Sequence, residues 1–127
     1  MYRILAVEDD SIMANMLRHV IRAEGFEFLT CAEGGATTDL ALREKPDLIL
    51  LDVHLPDMDG HEVCRRLKAD ARVRHIPVIM LTGEARELES RVRGLDLGAE
   101  DYLFKPISPK VLVSRIKSIL KPETGPK

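Results

Sequence analysis

Leu48-Ile49-Leu50-Leu51 is apolar at every position and is followed at once by Asp52. A strand with one wet face alternates apolar and polar residues, whereas an unbroken run of this length belongs to a parallel strand buried on both faces. Parallel strands cannot be joined by hairpins; they need crossovers, usually helical and right-handed. The run therefore predicts a central strand with helices on both sides of its sheet.

The rest of the chain supplies those helices, in the order strand, helix, five times. The first pair is Ile4-Leu5-Ala6-Val7 and a helix carrying Ile12, Met13, Met16, Leu17, Val20 and Ile21 as its core stripe, with Gly25 as its stop. Phe28-Leu29-Thr30-Cys31 is a weaker second strand, and its helix, marked by Ala36, Leu40 and Ala41, ends before Lys45-Pro46. After the third strand, Asp59 and Glu62 have capping-box spacing ahead of Val63 and Leu67. Val78-Ile79-Met80-Leu81 precedes a fourth helix with Leu88, Val92 and Leu95. Tyr102-Leu103-Phe104 precedes a fifth, opened by Ser108-Pro109 and striped by Val111, Leu112, Ile116, Ile119 and Leu120. The predicted class is α/β, a doubly wound five-stranded parallel sheet. One domain over residues 1–121 is expected, with 122–127 as a tail or the start of a linker.

Composition narrows the function classes. The 127 residues fit one domain, and 45% hydrophobic with 31% charged is ordinary for a chain with a real core. A net charge of −2 disfavours direct nucleic-acid binding. Arg65, Arg66, Lys68, Arg72 and Arg74 cluster near the end of the third helix, but with no aromatic interleaved they read as a solvated face. Two cysteines, Cys31 and Cys64, read as small buried side chains in a reduced compartment. No apolar run is of membrane length and no signal peptide is visible, so the expected location is the cytoplasm.

In open α/β sheets the binding crevice lies beyond the carboxyl ends of the strands. Four of the five predicted strands end in polar chemistry: Glu8-Asp9-Asp10, Asp52, Thr82 and Lys105. Two carboxylates about 4 Å apart repel by roughly 4 kcal/mol at an effective dielectric near 20, so gathering Glu8, Asp9 and Asp52 calls for a cation. All-oxygen ligands select a hard divalent ion, and Mg²⁺ tolerates a sparse protein shell completed by waters and a phosphate. Lys105 offers a point charge and Thr82 a hydroxyl to the same anion. There is no glycine-rich phosphate loop, and no Ser/His/Asp, Cys/His or HExxH arrangement. The constellation reads as a phosphoryl site with a carboxylate as nucleophile.

Val7-Glu8-Asp9-Asp10, the run Leu51-Asp52-Val53-His54-Leu55-Pro56-Asp57-Met58-Asp59-Gly60, Leu81-Thr82-Gly83 and Asp101-Tyr102-Leu103-Phe104-Lys105-Pro106 stand in an order and spacing that resemble the receiver domains of two-component response regulators. The resemblance covers residues 3 to 120. It implies strand order 2-1-3-4-5, and that Asp52 accepts a phosphoryl group from a histidine kinase, a phosphotransfer protein or a small acyl phosphate. It also implies that Asp9, Asp52 and the His54 backbone carbonyl bind Mg²⁺ directly, with Glu8 acting through water, and that Thr82 and Lys105 hold the phosphoryl oxygens. Thr82 and Tyr102 would form the switch, Tyr102 turning from exposed to buried and altering the face of the fourth helix, fifth strand and fifth helix. Partner binding to an effector or a phosphorylation-dependent dimer would use that face. A cis Lys105-Pro106 bond, and control of phosphoryl lifetime at His54 and Glu84, are further implications.

Blander readings compete. Asp10 reads as a helix cap, Tyr102 equally as a half-buried strand aromatic, and His19, His54, His61 and His75 as surface histidines. An aspartyl-nucleophile phosphohydrolase would want an acid two residues past Asp52, where His54 stands. A degenerate receiver, binding partners without phosphorylation, would lack one of the expected acceptor, metal, threonine or lysine positions, and all are filled. No turnover of an external substrate is expected.

Overall fold

The computed structural model describes residues 1–83 and 97–120. Five strands, β1 (Arg3–Val7), β2 (Glu27–Cys31), β3 (Leu48–Asp52), β4 (Val78–Thr82) and β5 (Asp101–Phe104), form one sheet in the order β2-β1-β3-β4-β5, every pair parallel. Helices α1 (Ser11–Ala23), α2 (Thr37–Glu44), α3 (Gly60–Ala69) and a last helix (Pro109–Leu120) are described around it. The predicted fourth helix at Leu88, Val92 and Leu95, together with Glu84 and segment 122–127, lies outside the described residues. Among the described residues no helix is long and apolar enough to cross a membrane.

The middle of the sheet is buried on both sides because β3 and β4 are apolar at every step up to their last residue. On one face Ile4, Ala6, Leu48, Leu50, Ile79, Leu81 and Leu103 meet Leu17 and Ile21 of α1 and Leu112 and Ile116 of the last helix. On the other, Leu5, Val7, Ile49, Leu51 and Met80 meet Ala41 of α2 and Val63, Cys64 and Leu67 of α3. β3 is buried along its whole length, whereas in β2 only Phe28 is buried and Glu27 and Thr30 are exposed, as a central and an edge strand should be. The register sets Val7 beside Leu51 and Asp52 beside Leu81, so the carboxyl ends of β1, β3 and β4 finish on one rim.

Local chemistry sets the helix ends. Asp10 caps α1, its carboxylate accepting from Ile12 N–H at 2.9 Å, and Gly25 at φ +87° ends it. Ser108 Oγ accepts from Val111 N–H at 3.3 Å, with Pro109 as the first helical residue. Lys45 closes α2 in the left-handed region.

Five expectations are corrected. Ile12 is 79% exposed and Val111 43%. At about 100° per residue Ile12 lies roughly half a turn from buried Ile21, and Ala14, nearly aligned with Ile21, takes the buried place. Val111 is turned away from Ile116 by the same arithmetic. The capping box at α3 is half formed: Asp59 accepts from His61 N–H at 2.8 Å, but Glu62 turns to Arg65 and Arg66 instead of the cap. Two guanidiniums one helical turn away outcompete a single backbone N–H, and hold the Glu62 carboxyl down at about 2. Finally, His61 is buried, not a surface histidine. Cys64 is buried and its thiol pushed up to about 11 by that burial, whereas Cys31 is half-buried.

Candidate functional site

Glu8 follows β1, Asp52 ends β3, Thr82 ends β4 and Lys105 follows β5. Each strand delivers its polar residue to the same rim because the parallel pairing is in register. Carboxylate oxygens of Glu8, Asp9 and Asp52 all lie within 4.8 Å of one another. Glu8 and Asp52 are buried and Asp9 is exposed at the mouth. Lys105 Nζ stands 3.4 Å from Asp52 Oδ1 and 3.4 Å from Glu8 Oε1.

Backbone donors finish the cradle. Asp10 N–H donates to Glu8 Oε2 at 3.2 Å, and His54 N–H donates to Asp52 Oδ1 at 3.2 Å. His54 thus enters through its backbone, while its side chain is exposed. Thr82 is fully buried, and its carbonyl accepts from Lys105 N–H at 2.6 Å, tying the ends of β4 and β5 together. The Lys105-Pro106 bond is cis. Tyr102 lies on β5 opposite Met80, buried, against His61 and Phe104.

The electrostatics match the crowding. Burial, and then the neighbouring Asp52 charge, push the Glu8 carboxyl up to about 7 against the opposing pull of the Asp10 amide and Lys105. Among the described residues, Lys105 is the cation paired with two of the three acids. A donor set made only of carboxylate oxygens, two of them buried, fits a small hard dication.

The loop after Asp52 is fixed by close packing. Gly60 N–H donates to the Val53 carbonyl at 2.7 Å, and His54 pairs with Asp59 in an antiparallel bridge. A Cβ on Gly60 would lie 2.2 Å from the Asp52 carbonyl oxygen, so no larger residue fits without moving the Asp52 backbone. Sequence reasoning missed two residues here. Asp57 accepts from Gly34 N–H and Gly35 N–H, each at 2.8 Å, capping from a distance the 3₁₀ turn (Gly34–Ala36) that leads into α2. His61 packs on Tyr102. No local pattern signals either contact, although the paired glycines mark where another segment approaches closely.

Five of the sequence-predicted residues, Glu8, Asp9, Asp52, Thr82 and Lys105, therefore share the rim, His54 joins them by its backbone, and Tyr102 lies below the rim on β5, the strand that Lys105 follows. Four residues of the basic cluster are engaged in ion pairs: Arg65 and Arg66 share Glu62, Arg72 pairs with Asp70, and Lys68 with Glu100.

Comparison with known proteins agrees with this geometry. Residues 4–117 match the family model described as the response regulator receiver domain. The chain is 43% identical over 119 residues to the DNA-binding response regulator MtrA of Mycolicibacterium paratuberculosis, covering 94% of this chain and 51% of that protein. It spans about half the length of the MtrA relatives it matches. Among solved structures, a putative response regulator from Chloroflexus aurantiacus superposes with a TM-score of 0.90 at 35% identity, covering 95% of this chain and 98% of that one. The receiver domain of sensor histidine kinase PA1611 from Pseudomonas aeruginosa, with a magnesium ion coordinated in its active site cleft, superposes at 0.82 with 30% identity, over 92% and 95% of the two chains. This chain belongs to the response regulator receiver domains of two-component systems.

Proposed function

We propose that the domain is a phosphoryl-accepting switch in which Asp52 is the acceptor. The observation that carries this reading is the Lys105 ammonium 3.4 Å from Asp52 Oδ1 inside a cluster of three acids, two of them buried. The donor is a phosphohistidine of a sensor histidine kinase or phosphotransfer protein, or a small acyl phosphate. The bond from phosphorus to the donor atom breaks, a bond from phosphorus to an Asp52 carboxylate oxygen forms, and the donor leaves with its electron pair. His54 N–H and Lys105 fix the orientation of the Asp52 carboxylate for in-line attack. Lys105 and the Thr82 hydroxyl then hold the phosphoryl oxygens.

Glu8, Asp9, Asp52 and the His54 carbonyl are the groups that would hold Mg²⁺, which when bound supplies charge neutralisation for the transferring phosphoryl group. The magnesium reported in the PA1611 receiver domain supports this assignment. The domain modifies itself and turns over no external substrate. Thr82 and Tyr102 carry the switch to the face that includes β5 and the last helix, where Phe104 and Val111 are exposed and Arg115 pairs with Asp101. That face is where an effector, or a second phosphorylated copy, would dock. The net charge of −2 and the ion pairs that engage four residues of the basic cluster support protein partners over direct nucleic-acid contact by this domain, and two unbridged cysteines support a cytoplasmic setting.

Intact mass after incubation with Mg²⁺ and a small acyl phosphate tests the reading. Wild type gains one phosphoryl group, and Asp52→Ala gains none. No gain in wild type with Mg²⁺ bound, or an equal gain in Asp52→Ala, overturns it; the first result would point to a partner-binding receiver that works without phosphorylation.

A further inference from the structure

The ring of His61, buried at the start of α3, lies 6.4 Å from that of Tyr102 with an interplanar angle of 24°, an offset stack within the range where aromatic pairs attract. Its Nδ1 is 2.9 Å from Asp59 Oδ1, the same oxygen that accepts the His61 backbone N–H at 2.8 Å. A carboxylate only accepts, so Nδ1 carries the proton and the ring is held in one orientation. Asp59 is itself referenced to the acceptor strand: it bridges His54, and Gly60 beside it is packed against the Asp52 backbone. On its other side Tyr102 meets Phe104, 42% exposed, at 5.6 Å.

We propose that His61 is a positioning residue for the switch, a stacking partner anchored through Asp59 to the Asp52 loop that holds the Tyr102 ring inward before any phosphoryl group arrives. The inference rests on the reading of Tyr102 as the switch aromatic and adds a second route to it, separate from Thr82. The inward place of Tyr102 is already furnished with a flat partner. Turning outward exchanges that partner for solvent. The unphosphorylated domain is therefore biased toward its inward form, and the phosphoryl group completes a shift that is partly made, adding only its own differential affinity for the two forms.

The chain has two tyrosines and no tryptophan, so in a Tyr2→Phe background Tyr102 is the sole tyrosine emitter. Acrylamide quenching then reads its exposure directly. Relative to that background, His61→Leu, which fills the space without a ring stack or a hydrogen bond, is expected to shift Tyr102 outward by about 2- to 10-fold and to raise quenching accordingly. His61→Phe, which restores the stack, is expected to return quenching toward the background value. Asp59→Ser, which keeps a helix cap and removes the carboxylate anchor, is expected to raise quenching with His61 in place, and carries the test if His61→Leu fails to fold. A purely structural role for His61 would lower the denaturation midpoint and leave quenching of the folded protein unchanged. Equal quenching in the background, His61→Leu and Asp59→Ser proteins overturns the proposal. Intact mass of the same samples after treatment with acyl phosphate separates this outcome from failure at Asp52, because the quenching comparison is made on unphosphorylated protein.

Discussion

Asp57 shows how one side chain decides local structure that its own neighbourhood does not explain. Its two carboxylate oxygens take the N–H groups of Gly34 and Gly35, and no side chain at Glu33 or Ala36 caps the turn or α2. Gly34 itself has no room for a side chain, since a Cβ would lie 2.6 Å from Val63 Cγ2. Those two amides, more than any cation, hold the Asp57 carboxyl below its usual value of 3.8. For an acid with a depressed folded-state pKa, the contribution to stability is complete above the unfolded value and is lost as pH falls through the folded one. Asp57→Asn should therefore be less stable than wild type at neutral pH, and the difference should shrink as pH is lowered below about 3.8. Urea denaturation at a series of pH values checks this; a gap that stays constant down to pH 3 would mean that the carboxylate charge is irrelevant to the cap.

At the scale of elements, the unbroken apolar runs made the sheet legible, because a strand with no polar position has nowhere to sit but the middle. The strand-end acids, Thr82 and Lys105 were legible for the same reason, since the crevice of a parallel sheet is fixed by where its strands stop. Helix faces were less so. Ile12 was placed in the stripe of α1 by residue type, yet rotation puts it outside, 79% exposed, while Leu17 is wholly buried. Leu17→Ala is accordingly expected to cost about 2–5 kcal/mol, whereas Ile12→Ser should stay within about 0.5 kcal/mol in urea denaturation. If Ile12→Ser proves as costly as Leu17→Ala, the assigned rotation of α1 is wrong. What stayed hidden in the sequence were contacts between distant segments, Asp57 on Gly34 and Gly35, and His61 on Tyr102. Hydrophobic period and cap spacing speak only of residues one or two turns apart.

Across the whole molecule, the same register that seals the core drives acids together at the rim, so the fold holds its site at a cost in stability. Glu8 is buried beside Asp52, and its carboxyl stands at about 7. Removing that acid should therefore strengthen the metal-free protein: Glu8→Gln keeps the shape and the capacity to accept from Asp10 N–H, while relieving both desolvation and repulsion. Mg²⁺ acts in the opposite sense. A ligand that binds only the folded state stabilises it by about 2.7 kcal/mol at one hundred times its dissociation constant, so wild type should melt at a higher temperature in Mg²⁺ than in chelator. Asp9→Asn, which removes the carboxylate at the mouth of the cluster, should lose most of that rise. Thermal melts of the three proteins in Mg²⁺ and in chelator make the comparison. A Glu8→Gln protein less stable than wild type in chelator would show that the Lys105 pairing outweighs the crowding of acids. An undiminished Mg²⁺ response in Asp9→Asn would move the cation away from this rim.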